Sequence, residues 1–119
     1  MTASPEPSRG EVWLVRFGSN QPGEPGKNRP AIVLSIDSLR TGSERDLIVV
    51  VPLSATEPGS QMRPPVVPAD AGVDRPSVAL PTALRAIGRT RLLHRLGGVP
   101  PDTLDAIEQV LLVTLGLDR

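Results

Sequence analysis

Two apolar, β-branched runs constrain this chain more than any other feature: Ala31-Ile32-Val33-Leu34 with Ile36, and Leu47-Ile48-Val49-Val50-Val51 with Leu53. Runs of this kind, bounded by polar, glycine- and proline-containing stretches, read as buried strands. The second is unbroken in its apolar character and belongs near the middle of a sheet. Pro52 cannot donate to a ladder, so pairing is expected to weaken there, just before the hydroxyl cluster Ser54-Ala55-Thr56.

The first run is entered from a loop, Gly18 to Asn28, through Lys27-Asn28-Arg29-Pro30. Pro30 disfavours the α region for Arg29 and presets its own φ, so the guanidinium is launched from extended backbone where a strand begins. That is a good place for a site. The plain alternative is that Arg29 caps the strand and stays solvated. The loop holds three glycines and two prolines, is too long for a tight hairpin, and is expected to close over a ligand.

The other elements follow from local pattern. Residues 1–8 are polar and proline-containing, carry no apolar leader core, and are expected to form a flexible tail ahead of a single domain over residues 9–119. Glu11 to Phe17 reads as a strand with Trp13, Val15 and Phe17 on one face. These two rings are the only aromatics, and on one strand they fit a core better than a base-stacking platform. Asp37–Arg45 reads as a loop, Gln61–Pro68 as a proline-spaced edge, and Ala69–Pro76 as a turn. Ser77–Leu80 and Ala83–Ile87 read as strand interrupted by Pro81, with a turn over Gly88–Leu93 and a short return over Leu93–Leu96.

Pro100-Pro101-Asp102 opens the one convincing helix, with Leu104, Ile107, Leu111 and Leu115 on one face and Gly116 as its stop. Val110, Leu112 and Val113 widen that face beyond what one sheet needs, which hints at a dimer contact. The expected fold is mainly β or α+β: a small, twisted, antiparallel barrel or half-barrel closed by a C-terminal helix.

Composition narrows the chemistry. The chain has 119 residues, enough for one core, and no cysteine, which removes disulfides and thiolate nucleophiles. No run reaches the length of a membrane span, and the expectation is a cytoplasmic protein. Formal net charge is zero, yet from Arg75 to Pro101 every charged side chain is basic: Arg75, Arg85, Arg89, Arg91 and Arg95, with His94. A charge run can be no more than a solvated face. There is no glycine-rich phosphate loop, no Cys or His cluster for a metal, no partner for His94, and no paired carboxylates.

What remains is arginine with hydroxyls: Arg29, Ser54, Thr56 and Arg85. Such a set can grip a phosphodiester and stabilise the negative charge that develops on its oxygens during displacement. With no metal to activate water, the simplest nucleophile is the substrate's own 2′-hydroxyl, which restricts the substrate to RNA.

Four blocks taken together resemble the MazF/PemK toxins. They are Arg9-Gly10-Glu11-Val12-Trp13-Leu14-Val15, Asn28-Arg29-Pro30-Ala31-Ile32-Val33-Leu34-Ser35, Val51-Pro52-Leu53-Ser54, and Ala83 to Leu92. The helix ending Leu115-Gly116-Leu117 matches as well. The resemblance implies a homodimeric SH3-like (PemK/CcdB-type) barrel from a type II toxin–antitoxin pair. It would cleave RNA at short sequences without metal or other cofactor, leaving 2′,3′-cyclic phosphate and 5′-hydroxyl ends. A cognate antitoxin would inhibit it by laying a disordered tail across the site.

The resemblance also implies catalytic roles for Arg29 and Ser54, and RNA contacts from the loop residues Glu24, Lys27 and Asn28. Thr56, Thr82 and Arg85 complete the candidate RNA contacts. Many members carry an acid or amide pair where this chain has Thr82-Ala83, and this chain reads Ala86 and Gly88 for a Thr and an Asp; Ser54 replaces the commoner Thr and keeps its donor. Two rival readings are a gyrase-poisoning toxin on the same barrel, whose helix would end in an aromatic that Gly116-Leu117-Asp118-Arg119 lacks, and a catalytically weakened member that only binds its antitoxin.

Overall fold

The structure, a computed structural model, describes residues 6–18 and 27–118. The described residues form seven strands: β1 Glu11–Arg16, β2 Asn28–Val33, β3 Leu47–Ser54, β4 Pro65–Val66, β5 Ser77–Ala79, β6 Arg85–Gly88 and β7 Leu92–Gly98. Two α-helices join them, α1 Pro68–Ala71 and α2 Pro101–Thr114. Every strand pair is antiparallel, in the order β4-β5-β3-β2-β1-β7, with β6 also on β3.

β3 is the axis of this sheet. Its first half pairs with β6 (Leu47↔Gly88 to Val50↔Arg85), its middle with β2 (Val50↔Val33 to Pro52↔Ala31), and its end with β5 (Leu53↔Ala79, Ser54↔Val78). The pairing expected to weaken at Pro52 changes partner instead. The Pro52 carbonyl accepts the Leu80 amide at 2.9 Å, and β5 carries the strand two residues further. The turn Pro81–Ala83, a single turn of 3-10 helix, separates β5 from β6 along the same edge of β3.

Alternate residues of the central strands enter two cores. Val12, Ile32, Leu34, Val51 and Leu53 face one cluster that α2 closes with Ile107, while Trp13, Val15, Ala31, Val33, Ile48 and Val50 face the other. Burial on both faces explains why β2 and β3 read as continuous apolar runs rather than alternating ones. In the second cluster the arginines of the β6 edge lie over the rings: the Arg85 guanidinium is 5.4 Å from the Phe17 ring centre and that of Arg89 is 5.2 Å from Trp13.

Several local expectations are corrected. Ahead of Arg9, Pro7 is fully buried and Glu6 pairs with Arg89, so these two residues pack on the domain. The stretch read as a turn after Pro68 contains α1, started by its proline and stopped by Gly72 in the left-handed region. The short return is the full-length β7, held along β1 with two register shifts. On α2, Ile107 and Val110 are buried and Leu104 and Leu111 pack against the core, but Leu115 lies past the last helical residue and is 54% exposed. Leu112, Val113 and Leu117 are exposed with it. Among the described residues no helix is long and apolar enough to cross a membrane.

Candidate functional site

β1 and β2 continue past their ladder: the Phe17 amide donates to the Lys27 carbonyl at 3.0 Å and the Lys27 amide to the Gly18 carbonyl at 3.1 Å. Lys27 closes this end with φ +60, the only non-glycine among the described residues in the left-handed region. A side chain held there is strained, and such strain gathers at functional positions. Directly after it, Asn28 stands opposite Arg16 and Arg29 opposite Val15. Arg29 is half-buried where the strand begins, as its proline neighbour requires.

A cavity of about 320 Å³ opens beside this strand entrance. Lys27, Asn28, Arg29 and Pro30 form one wall, and Leu53, Ala55 and Thr56 from the end of β3 form the floor. The opposite wall is Val73, Asp74, Arg75 and Ser77, from the turn between α1 and β5. Its charged lining is Lys27, Arg29 and Arg75 with Asp74, so cations outnumber the one acid and the field favours an anionic ligand.

Ser54 lies beneath this floor. It is 4% exposed, and its Oγ accepts the backbone amides of Thr56 and Glu57, each at 3.2 Å. The same oxygen is 3.2 Å from Thr56 Oγ1. Ser54 therefore builds the turn that ends β3, a local side-chain-to-backbone motif that hydroxyl residues favour. Thr56 is the hydroxyl residue that this turn places in the cavity lining.

The expected site residues thus separate. Arg29, Lys27, Asn28 and Thr56 come together around the cavity, and Ser54 supports it from below. Thr82, exposed on the Pro81–Ala83 turn, and Arg85, lying over Phe17, are not part of its lining. Glu24 lies outside the described residues. Asp74, Arg75 and Ser77 were missed, because the sequence there shows only a turn; the one available signal was Arg75 as the start of the basic segment. Among the described residues no three acids or histidines gather closely enough to hold a metal ion.

The α1–β5 wall is held by backbone packing. A Cβ on Gly72 would sit 2.0 Å from the Leu96 carbonyl oxygen, and one on Gly97 would sit 2.5 Å from that of Asp70. Only two glycines let α1 and β7 approach so closely, and this contact fixes where Val73, Asp74 and Arg75 begin.

The sequence profile of the PemK-like, MazF-like toxins of type II toxin–antitoxin systems matches residues 8–115. The chain belongs to this family. Solved structures agree on the fold of this PemK/MazF-like toxin. MazF from Deinococcus radiodurans superposes with a TM-score of 0.80 at 24% identity, covering 95% of this chain and 99% of that one. The same organism's MazE–MazF complex gives 0.76 at 25% identity, covering 97% and 100%. A mycobacterial endoribonuclease in complex with its cognate antitoxin gives 0.74 at 22% identity, covering 95% and 98%. The curled antiparallel sheet with one C-terminal helix is the MazF fold.

Proposed function

We propose that this PemK/MazF-like toxin is an endoribonuclease that cuts single-stranded RNA at short sequences, by attack of the 2′-hydroxyl on the adjacent phosphodiester. The P–O5′ bond breaks, leaving a 2′,3′-cyclic phosphate on one fragment and a 5′-hydroxyl on the other. The observation that carries this reading is the cavity in which Arg29 and Lys27 face Arg75 across a floor that includes Thr56. Arg29 grips the scissile phosphate through its planar fork and neutralises charge as the oxygens become more negative. Thr56 supplies a second donor, and Ser54 holds it in place through the 3.2 Å hydroxyl contact. Lys27 and Asn28 contact the flanking backbone. No step in this scheme calls on a metal or another cofactor.

A cognate antitoxin inhibits the enzyme by laying an extended acidic segment across the same cationic cavity; the mycobacterial endoribonuclease in complex with its cognate antitoxin supports the partner. The exposed Leu112, Val113, Leu115 and Leu117 at the end of α2 fit a homodimer contact, and the protein acts in the cytoplasm, where its RNA is.

The test is purified protein with a long single-stranded RNA in EDTA, beside Arg29→Ala, with both new ends mapped. Discrete cuts bearing 5′-hydroxyls, reduced about 10²–10³-fold in the variant, are expected. Uncut RNA with a correctly folded protein would overturn the reading and favour a toxin that acts by binding alone.

A further inference from the structure

Asp74 and Arg75 are adjacent in sequence, both line the cavity, and both are exposed. Neither side chain makes an ion pair or a hydrogen bond with another described residue. A carboxylate and a guanidinium adjacent in sequence, solvated and without a partner among the described residues, on the wall facing Arg29, have no structural task in the fold. The backbone leading into them is set close against β7 at Gly72 and Gly97. Charged groups that line a cavity and are not used by the fold are available to the polar edge of a ligand.

We propose that this wall reads a guanine base seated in the cavity, Asp74 on its Watson–Crick edge and Arg75 on its O6/N7 edge. The inference rests on the reading of the cavity as an RNA site. A cavity of about 320 Å³ is at the small end of ligand sites, roughly 300–1,000 Å³, and suits a single nucleotide. An ionised carboxylate only accepts hydrogen bonds. Guanine alone among the four RNA bases presents two neighbouring donors, N1–H and N2–H, that both carboxylate oxygens can take at once. Adenine and cytosine set one donor beside a bare ring nitrogen, and uracil sets one between two carbonyls, so the carboxylate meets lone pairs in each. Arginine pairs bidentately with guanine O6 and N7, the commonest specific base contact of that side chain. Both residues therefore select the same base, while Arg29 on the facing wall holds the phosphate.

The experiment uses fluorescein-labelled five-nucleotide RNAs that are fully 2′-O-methylated and so cannot be cut, UUNUU with N as each of the four bases. Binding is read by anisotropy to the native protein, Asp74→Asn and Arg75→Gln. Guanine is expected to bind roughly tenfold tighter than the other three. Asp74→Asn should erase that preference while leaving the other affinities equal or tighter, since a negative charge is gone from a cationic cavity. Arg75→Gln should reduce the preference and weaken all four.

Equal binding of all four RNAs by the native protein overturns the proposal, as does no binding at all. So does a guanine preference that survives Asp74→Asn, or an Asp74→Asn variant that weakens all four alike. Cleavage of unmodified RNA in EDTA is scored separately. Cutting without guanine preference removes this inference and leaves the endoribonuclease reading standing; guanine preference without cutting does the reverse.

Discussion

The hydroxyl of Ser54 lies 3.2 Å from that of Thr56, one buried under the cavity and the other in its lining. Substitutions at the two positions therefore separate structure from chemistry. Thr56→Val keeps the shape and removes the donor; cleavage should fall about 10²–10³-fold, with a stability loss of about 0.5–1.5 kcal/mol for the hydroxyl contact with Ser54. Ser54→Ala leaves the Thr56 and Glu57 amides without an acceptor and should cost about 1–3 kcal/mol of stability besides activity. Paired urea titrations and single-turnover cleavage check both outcomes.

Gly72 and Gly42 both have positive φ, +73 and +85, but only Gly72 is crowded. Gly42→Ala meets nothing within 4 Å and bears the backbone strain alone, about 1–3 kcal/mol. Gly72→Ala adds a collision with the Leu96 carbonyl and should be the more destabilised of the two. Thermal melts of the pair isolate the α1–β7 contact: equal losses would show that it contributes nothing.

Asp46 is buried at the head of β3, and its carboxylate accepts the Thr41 hydroxyl and the amides of Thr41 and Gly42. The Thr41 hydroxyl is the largest cause holding its pKa below the usual carboxylate value, with the two amides and Arg40 adding to it against the opposing effect of burial. A group whose pKa is lower folded than unfolded stabilises the fold above its unfolded pKa, here 3.8, and that stability is lost as pH falls through the folded value. Asp46→Asn should be less stable than the native protein at neutral pH, with the gap closing below about pH 4. Urea midpoints measured from pH 7 to pH 2.5 would show it; a gap that stays constant would count against this linkage.

Trp13 is the single tryptophan, 3% exposed, with its indole N–H donating to Glu11 at 3.0 Å and Arg89 over its ring. Arg89→Ala uncovers one ring face and also removes the ion pair with Glu6. The expected result is a red-shifted emission, easier acrylamide quenching, and a loss of about 0.5–2 kcal/mol for the cation–π contact. Unchanged quenching would mean that the ring is sealed by other groups.

Much of this fold was legible along the chain. β1, β2, β3 and α2 were readable because apolar spacing and the Pro100-Pro101-Asp102 start act within a few residues. The Arg29 position was readable for the same reason, since Pro30 constrains its neighbour directly. Periodicity carries the buried helix face one turn too far, to Leu115, because it does not reveal where the sheet beneath a helix ends.

By itself, then, the sequence determined the central strands, the terminal helix, an arginine at the mouth of β2, and the family resemblance carried by four ordered blocks. Only the tertiary structure decided which groups face one another. Pairing of β5 with the end of β3 brings Asp74 and Arg75 across from Arg29, some 45 residues away along the chain. The Ser54 turn decides that Thr56 rather than Ser54 lines the cavity. Local propensities act over a few residues, whereas the walls of a site are matched by long-range strand pairing and by the backbone approach that Gly72 and Gly97 permit.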